Sequence, residues 1–247
     1  MSEELIGLIP AAGKGVRLGL PYPKELYPVI IDHSYKPVSQ FVLDYLTQAG
    51  IRHIVFVINE TKHQLIGYFG SGQQFDCNIS YIVQERIGAR EKSTSPGLAH
   101  ALDSAYHLTQ GNRVCFGMAD TIMKPSDVFA RANAALDPTM DAVLVLFPTE
   151  RPEKFGMVHT DEGGRVLEII DKPQVTDLTD MWGCMIWRPS FTEYLHASVA
   201  AGNGDFALIM NNAIDEGFHI GSVRPPAGRY IDLGTYEEIM ELEEHFP

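Results

Sequence analysis

The sequence has few cysteines, lacks a long apolar run and carries an excess of negative charge. Its three cysteines, Cys77, Cys115 and Cys184, are widely spaced and odd in number. They fit neither a disulfide framework nor a metal-binding spacing, so we expect a reducing, cytoplasmic setting. No run of about 18 apolar residues occurs, and the N-terminal Met-Ser-Glu-Glu is acidic. We therefore predict neither a transmembrane helix nor a signal peptide, and no membrane partner.

Basic residues are scarce relative to acidic ones. The chain has 19 Lys and Arg against 32 Asp and Glu, for a net charge of −13. Nonspecific nucleic-acid binding needs a basic surface, so we do not expect a nucleic-acid partner. A small anionic ligand remains compatible with this charge, because a few convergent cations and a metal ion can hold it locally.

The sequence also lacks a linker, an internal repeat and a low-complexity segment. Apolar runs of strand length alternate with helical patterns over its first part, which predicts a mostly parallel, Rossmann-like sheet with helices on both faces. From Phe155 onward the pattern changes to short strands joined by turns, before helical patterns return. We therefore predict a single α/β domain over residues 1–247, with a small β-rich subregion in its second half.

The N-terminal stretch has the composition of a phosphate-binding loop. An apolar strand, Leu5 to Ile9, ends at Pro10, which has no N–H to give to the sheet. Small residues follow it, so N–H groups of the loop can converge on an anion. Two cations, Arg17 and Lys24, then follow within reach of the same anion. The loop residues are Ala11, Ala12, Gly13, Lys14 and Gly15.

Two better-known glycine motifs fail here. A dinucleotide-binding fingerprint would need glycine where Leu18 stands, and a Walker A loop would need Ser or Thr where Gly15 follows Lys14. An ordinary glycine-rich turn with two solvated cations remains the alternative.

Two aspartates are candidate metal ligands. Asp120 follows the apolar segment Val114–Met118, so it is predicted at the carboxyl end of a strand, where such sheets bind ligands. Carboxylate oxygens are usual protein ligands of Mg²⁺. A helix N-cap or a turn aspartate is the alternative for Asp120. Asp232, taken alone, is explained equally well as a metal ligand or as a polar residue ahead of a helix capped by Thr235.

Several phrases resemble a known family in the same order along the chain. Ala-Ala-Gly-Lys-Gly-Val-Arg-Leu, with Pro-Lys-Glu-Leu-Tyr-Pro-Val shortly after, resembles the signature loop of the sugar-nucleotide pyrophosphorylases, notably the glucose-1-phosphate thymidylyl- and uridylyltransferases. Gly-Leu-Ala-His-Ala, Lys-Phe-Gly-Met-Val, Ile-Asp-Lys-Pro and Tyr-Ile-Asp-Leu-Gly-Thr resemble further phrases of that family. The chain departs from the family pattern at Val16, His100, Ala119, Asp171 and Tyr230, where threonine, glutamine, glycine, glutamate and tryptophan are usual.

The resemblance implies a GT-A-like nucleotidyltransferase fold, with a nucleotide-binding half over about residues 1–150 and a sugar-phosphate-binding half over about 151–247. It implies catalytic roles for Arg17, Lys24 and Lys172: Arg17 would hold the leaving pyrophosphate, Lys24 the α-phosphate and Lys172 the sugar phosphate. The nucleotide would be bound by the loop residues 11–15 with Leu8, Gln84, Gly97 and Leu98. The sugar phosphate would contact Phe155, Gly156, Asp171, Lys172 and Gly183. Asp120 and Asp232 would share a Mg²⁺ ion.

The implied partners are a nucleoside triphosphate and a sugar 1-phosphate, joined to give an NDP-sugar and pyrophosphate. Gln84 can both donate and accept through one amide, which matches the N3–H and a carbonyl of uracil or thymine, so UTP or dTTP is expected. The short Arg17–Lys24 segment favours an alternative, a cytidylyltransferase acting on a sugar, polyol or choline phosphate. A noncatalytic nucleotide-sugar sensor is a second alternative. The sugar, the role of the loop at residues 85–94, allosteric regulation and the oligomeric state, a homo-oligomer among the options, stay open.

Overall fold

A computed structural model describes residues 3–13, 15, 18–31, 34–85, 97–235 and 238–240. Its strands are β1 (Leu5–Pro10), β2 (Pro28–Ile31), β3 (Ser34–Pro37), β4 (His53–Ile58), β5 (Asn78–Val83), β6 (Arg113–Gly117), β7 (Thr121–Lys124), β8 (Ala142–Pro148), β9 (Gly156–Thr160), β10 (Val166–Asp171), β11 (Asp180–Trp187), β12 (Ile220–Val223) and β13 (Arg229–Asp232). Its α-helices are α1 (Val38–Gln48), α2 (His63–Phe69), α3 (Leu98–Asp103), α4 (Tyr106–Thr109), α5 (Val128–Ala135), α6 (Pro189–Ala200) and α7 (Phe206–Asp215). Short 3₁₀ turns lie at Lys24–Leu26, Gln73–Phe75 and Pro152–Lys154.

The central sheet has two parts of different character. In the first part, β6, β1, β4 and β5 are neighbours and run parallel. In the second, β11 runs antiparallel to β6 and β8, and β9 and β10 form an antiparallel hairpin beyond it. Two small sheets, β2–β3 and β7–β13, lie outside this order. The change of strand pattern predicted near Phe155 is confirmed.

Helices cover both faces of the sheet, as predicted. Strands β1 and β4 each bury five consecutive residues, because a strand covered on both sides must be apolar throughout. On one face, α1, α2 and α5 contribute Phe41, Phe69 and Phe129 to the core. On the other, α3 and α6 contribute Leu102 and Phe191, and α7 packs beside them.

Local sequence patterns predict helices over residues 61–69, capped by Thr61, over residues 97–108 and over residues 236–244, and the boundaries of the first two are wrong. Thr61 does not cap the second helix: its N–H and hydroxyl both bind Asn59 Oδ1, at 2.9 and 2.7 Å, and α2 begins two residues later. The side chain of Asn59 thus holds a turn that competes with the helix. The helix predicted from Gly97 to Leu108 is divided into α3 and α4. Of the helix predicted over 236–244, the structure describes residues 238–240, which are helical.

No helix within the described part of the chain combines the length and apolar character needed to cross a bilayer.

A close approach inside the sheet requires a glycine at position 183. A Cβ added to Gly183 would lie 2.5 Å from Tyr230 Cδ2 and 2.8 Å from Phe147 Cε2. The Phe147 ring on β8 lies in the core, and the partly buried Tyr230 ring on β13 packs against it. The two rings can therefore pack this closely against β11 only because Gly183 has no side chain.

We expect Gly183→Ala to lower the free energy of unfolding by about 1–3 kcal/mol, since neither ring can move away without opening the core. Gly67→Ala is the matched control: apart from the neighbouring residues and backbone of its own helix, no atom lies within 4 Å of its added methyl group. Because Gly67 lies inside α2, that change should stabilise the protein by about 0.5–1 kcal/mol. Urea unfolding of both variants measures the difference. Equal stability of the two would contradict the close packing at Gly183.

Candidate functional site

The predicted phosphate loop lies at the carboxyl ends of the parallel strands. Ala11 N donates to Val57 O at 2.7 Å, and Asn59 Nδ2 donates to Ala12 O at 2.8 Å, so the start of the loop is fixed to the end of β4. Gly15 has a φ of +62°, a conformation that favours glycine. A Cβ added to Gly15 would lie 3.7 Å from Lys24 Cγ, so the loop packs against the aliphatic part of that side chain. The loop and Lys24 are therefore adjacent, as the sequence predicts, whereas Lys14 and Arg17 lie outside the described residues.

Lys24 and Asp120 form an ion pair across this edge of the sheet. Lys24 begins the 3₁₀ turn after Pro23, and Asp120 follows the end of β6. The Lys24 ammonium donates to Asp120 Oδ2, and the two side chains retain only 16% and 12% exposure. Two residues 96 positions apart in the chain are thus brought into contact.

The charge on Lys24 is stabilised by its surroundings. Burial alone lowers the pKa of Lys24, but the charge of Asp120, the hydrogen bond to it and the charges of Glu25 and Asp232 outweigh that effect. The pKa of Lys24 is therefore raised above its ordinary value. The site keeps a cation at physiological pH.

The second candidate carboxylate reaches the same place through the small β7–β13 sheet. Asp232 pairs in register with Thr121, the residue after Asp120. Leu233 N also donates to Asp120 O at 2.9 Å. Burial raises the pKa of Tyr230 well above its usual range, and the charges of Asp232 and Asp120 raise this pKa further. Both aspartates therefore lie close enough to act on the same neighbouring side chains.

These two carboxylates fit a hard cation that takes few protein ligands. Within the described residues, no group of three or more His, Cys, Asp and Glu side chains is arranged to hold a metal ion. A pair of carboxylates is nevertheless a suitable donor set for Mg²⁺, which keeps several waters and takes other ligands from phosphates. The chemistry of the donors thus matches the ion that the sequence predicts.

The predicted acceptor residues meet at the open end of the β9–β10 hairpin. Asp171 pairs with Gly156, and Lys172 N donates to Phe155 O at 2.9 Å. Lys172 has a φ of +49°, and its side chain is 61% exposed. Its Nζ lies 3.6 Å from Asp171 Oδ2, and the exposure of the side chain leaves the ammonium open to solvent at this end.

Aromatic packing joins this hairpin to the strand that carries Asp232. The Tyr230 ring packs perpendicular to Phe155 at 5.8 Å and lies against Gly183. The Trp182 indole nitrogen faces Gly156 from the neighbouring strand β11. The acceptor residues and the carboxylates therefore belong to one continuous region.

On the opposite side of the phosphate loop, Gln84 follows β5 and is 9% exposed. Its Nε2 has no hydrogen-bond partner in the described structure, and the same holds for Nδ1 of His100 in α3. Gly97 and Leu98 lie at the start of α3. The Leu8 side chain is 1% exposed within β1, so it lies in the core beneath the loop. Most of the loop at residues 85–94 lies outside the described residues.

Sequence reading missed a pair of charged residues beside the site. Glu25 and Lys62 are 2% and 3% exposed, and Lys62 Nζ donates to Glu25 Oε1 at 2.5 Å. Isolated charges after a strand or in a turn are normally solvated. The one available signal was that Glu25 directly follows Lys24.

A second unpredicted contact holds the segment after Asp232. Glu238 accepts from Lys154 Nζ at 2.7 Å and from Gly234 N at 2.9 Å. Burial opposes the charge on Glu238, but these two partners hold the pKa of its carboxyl below the usual value. The ion pair ties the final helix to the turn that precedes β9.

Comparisons with known proteins agree with this arrangement. The family model for the nucleotidyl transferases matches residues 6–246. A glucose-1-phosphate thymidylyltransferase of Neisseria meningitidis serogroup A is 31% identical over 95% of this chain and 80% of its own length. A low-salt glycan biosynthesis nucleotidyltransferase, Agl11, of Haloferax volcanii is 25% identical over 96% of this chain. The match spans 65% of the Haloferax protein.

The fold also matches solved structures. A Bacillus anthracis protein, provisionally assigned as a glucose-1-phosphate thymidylyltransferase and crystallised with sucrose, superposes with a TM-score of 0.83 at 21% identity. The superposition covers 98% of this chain and 94% of that one. An unliganded UDP-glucose pyrophosphorylase superposes with a TM-score of 0.78. The family model spans nearly the whole sequence, and the chain belongs to the nucleotidyl transferase family.

Proposed function

We propose that the chain transfers a nucleotidyl group from UTP or dTTP to a sugar 1-phosphate, giving an NDP-sugar and pyrophosphate. One observation carries this proposal: the phosphate loop, Lys24, Asp120 and Asp232 converge at one edge of the sheet, next to the hairpin that presents Lys172. The names of the relatives from Neisseria and Haloferax support the same reaction class.

In the proposed reaction, an oxygen of the sugar phosphate attacks the α-phosphorus of the nucleotide in line. A new P–O bond forms as the bond to the bridging oxygen breaks, and pyrophosphate leaves with that electron pair. The nucleophile is already an anion, so no general base is needed. Catalysis of this kind depends on positioning and on charge stabilisation.

The residues divide this work between them. Asp120 and Asp232 would hold Mg²⁺, which, when bound, neutralises charge on the transferring group. Lys24, which lies against Asp120, would bind the α-phosphate or its bridging oxygen. Lys172 would seat the sugar phosphate, and Arg17 the leaving pyrophosphate.

The proposal also includes a division of labour within one domain and a cytoplasmic setting. Residues 1–150 would bind the nucleotide and residues 151–247 the sugar phosphate, in a chain that acts alone or as a homo-oligomer.

All three cysteines are free and buried, which suits a reducing compartment. Burial raises the pKa of Cys115 to about 12, so its thiol is not a nucleophile at neutral pH.

We expect Asp120→Asn and Asp232→Asn each to lower turnover by about 10²-fold or more, because each removes a charge that aims the metal at the transition state. NDP-sugar formation as a function of Mg²⁺ concentration measures the effect. Asp177→Asn, at an exposed position, is the matched control and should leave turnover unchanged. Turnover of both site variants within a few-fold of the parent, with the fold intact, would rule out the two-carboxylate site.

We expect Lys172→Ala to raise the KM for the sugar 1-phosphate roughly 10- to 100-fold, the effect of losing one charge-assisted hydrogen bond. Arg17→Ala should instead raise the KM for the nucleotide. Titrating each variant with each substrate separates the two ends of the site. Arg165→Ala removes a cation from the opposite end of the same hairpin and should change neither KM. Exchanged phenotypes for Lys172 and Arg17 would mean that the site is oriented the other way.

We expect UTP or dTTP to be used in preference to CTP, ATP and GTP. The unpaired Nε2 of Gln84 can donate to a pyrimidine carbonyl while its oxygen accepts from N3–H. Cytosine N3 only accepts, so it leaves the amide mismatched. Competition of the four nucleotides at equal concentration gives the ranking, and Gln84→Ala should weaken it. A clear preference for CTP would support the cytidylyltransferase alternative instead.

A further inference from the structure

A buried ion pair beside the candidate site has no role in the proposed reaction. Lys62 Nζ donates to Glu25 Oε1 at 2.5 Å, and the two side chains retain 4% and 2% exposure. Glu25 is the next residue after Lys24, and Lys62 lies in the loop that follows β4. The pair therefore connects the turn that carries Lys24 to a neighbouring strand end.

Stability alone does not account for this pair. Burial raises the pKa of Glu25 and lowers the pKa of Lys62, so for both groups the loss of hydration outweighs their mutual attraction. Glu25 Oε2 also lacks a hydrogen-bond partner in the described structure. Buried pairs of this kind can often be replaced by uncharged residues of similar volume without loss of stability.

The position of the pair indicates what it controls. Consecutive residues of a 3₁₀ turn project in different directions, so fixing the Glu25 side chain also fixes the direction of Lys24. Ser39 Oγ holds the same turn by donating to Glu25 O at 2.7 Å. On the other side, Lys62 N donates to Asn59 O at 3.1 Å, and Asn59 is the residue that binds the phosphate loop.

Charges of alternating sign continue from this pair into the site. Lys62 binds Glu25, Glu25 neighbours Lys24 in the chain, and Lys24 binds Asp120. The electrostatic influence of Asp120 reaches both Glu25 and Lys62. The buried pair is therefore coupled to the residues that would meet the phosphates.

We propose that Glu25 and Lys62 are positioning residues, whose buried ion pair holds the Lys24–Leu26 turn so that the Lys24 ammonium stays aimed at the nucleotide phosphates. This inference rests on the proposed function, which supplies the ligand of Lys24. Asp120 would also hold Mg²⁺ in the proposed reaction, so the turn needs an attachment besides the contact between Asp120 and Lys24. The link from Glu25 to Lys62 is that second attachment.

The test is the double variant Glu25→Gln/Lys62→Met, which removes both charges and leaves no buried charge unpaired. We expect an unchanged or higher unfolding midpoint together with a kcat lowered roughly 10- to 100-fold, the range expected when a catalytic group is misplaced by about 1 Å. The KM for sugar 1-phosphate should not change. A folded double variant with the parent kcat would overturn the proposal.

Two further variants guard against a general structural effect. Lys62→Arg keeps the charge and should retain kcat within a few-fold. Arg52→Met/Asp76→Asn removes an exposed ion pair at the amino end of β4, the opposite edge of the sheet, and should leave kcat unchanged.

If the double variant does not fold, the single variant Glu25→Asp replaces it. This variant keeps both charges but shortens the link between them by one methylene. A folded Glu25→Asp variant with a lowered kcat supports the proposal, and one with the parent kcat contradicts it.

A readout that needs no turnover separates this inference from the proposed function. The rate of Lys24 acetylation by trace acetic anhydride, followed by mass spectrometry, reports how well its ammonium is held. The exposed Lys172 serves as internal standard. We expect acetylation of Lys24 to rise severalfold in the double variant even if no nucleotide is found to react. An unchanged rate would refute the positioning role, whereas absence of turnover in the parent protein would refute only the proposed function.

Discussion

The contact between Lys24 and Asp120 organises this protein around one edge of its sheet. It joins the turn that follows β1 to the turn that follows β6, and these strands are direct neighbours running in the same direction. Parallel neighbours end at the same edge, so side chains that follow them are brought together whatever their separation in sequence. The backbone bond from Leu233 to Asp120 then adds Asp232 to the same place. The meeting of Lys24, Asp120 and Asp232 depends on this alignment.

The second half of the chain reaches that edge by a different route. Strands β9, β10 and β11 run antiparallel to their neighbours, so their ends do not gather by direction alone. The Tyr230 ring brings these strand ends together instead. It packs against Gly183 on β11 and against Phe155, beside the β9–β10 hairpin. The strand that carries Tyr230 continues to Asp232. A small residue facing a large aromatic ring thus sets the distance between the acceptor residues and the carboxylates.

The buried charges show that this site is not arranged for stability alone. Glu25 and Lys62 lose most of their hydration, and Glu25 keeps one oxygen without a partner. An apolar pair at these positions would avoid this desolvation. Lys24, by contrast, gains more from its acidic neighbours than it loses by burial, which is shown by the raised pKa of its ammonium. The neighbouring charges therefore favour a charged Lys24 in a place where water is largely excluded.

The sequence by itself determined the elements and the order of the motifs. Apolar runs such as those of β1 and β4, and the glycine-rich stretch after Pro10, have local causes, because burial on both faces and close backbone approach restrict which residues fit. Local patterns are therefore sufficient to place the loop, Lys24 and Asp120 at strand ends. The final helix and Arg17 remain predictions, since they lie outside or largely outside the described residues.

Tertiary structure alone decided which distant residues touch. The pairing of β7 with β13, the burial of Glu25 against Lys62 and the Tyr230–Gly183 contact all join residues far apart in the chain. Local sequence patterns do not encode such contacts, because each depends on how separate elements pack once the sheet has formed.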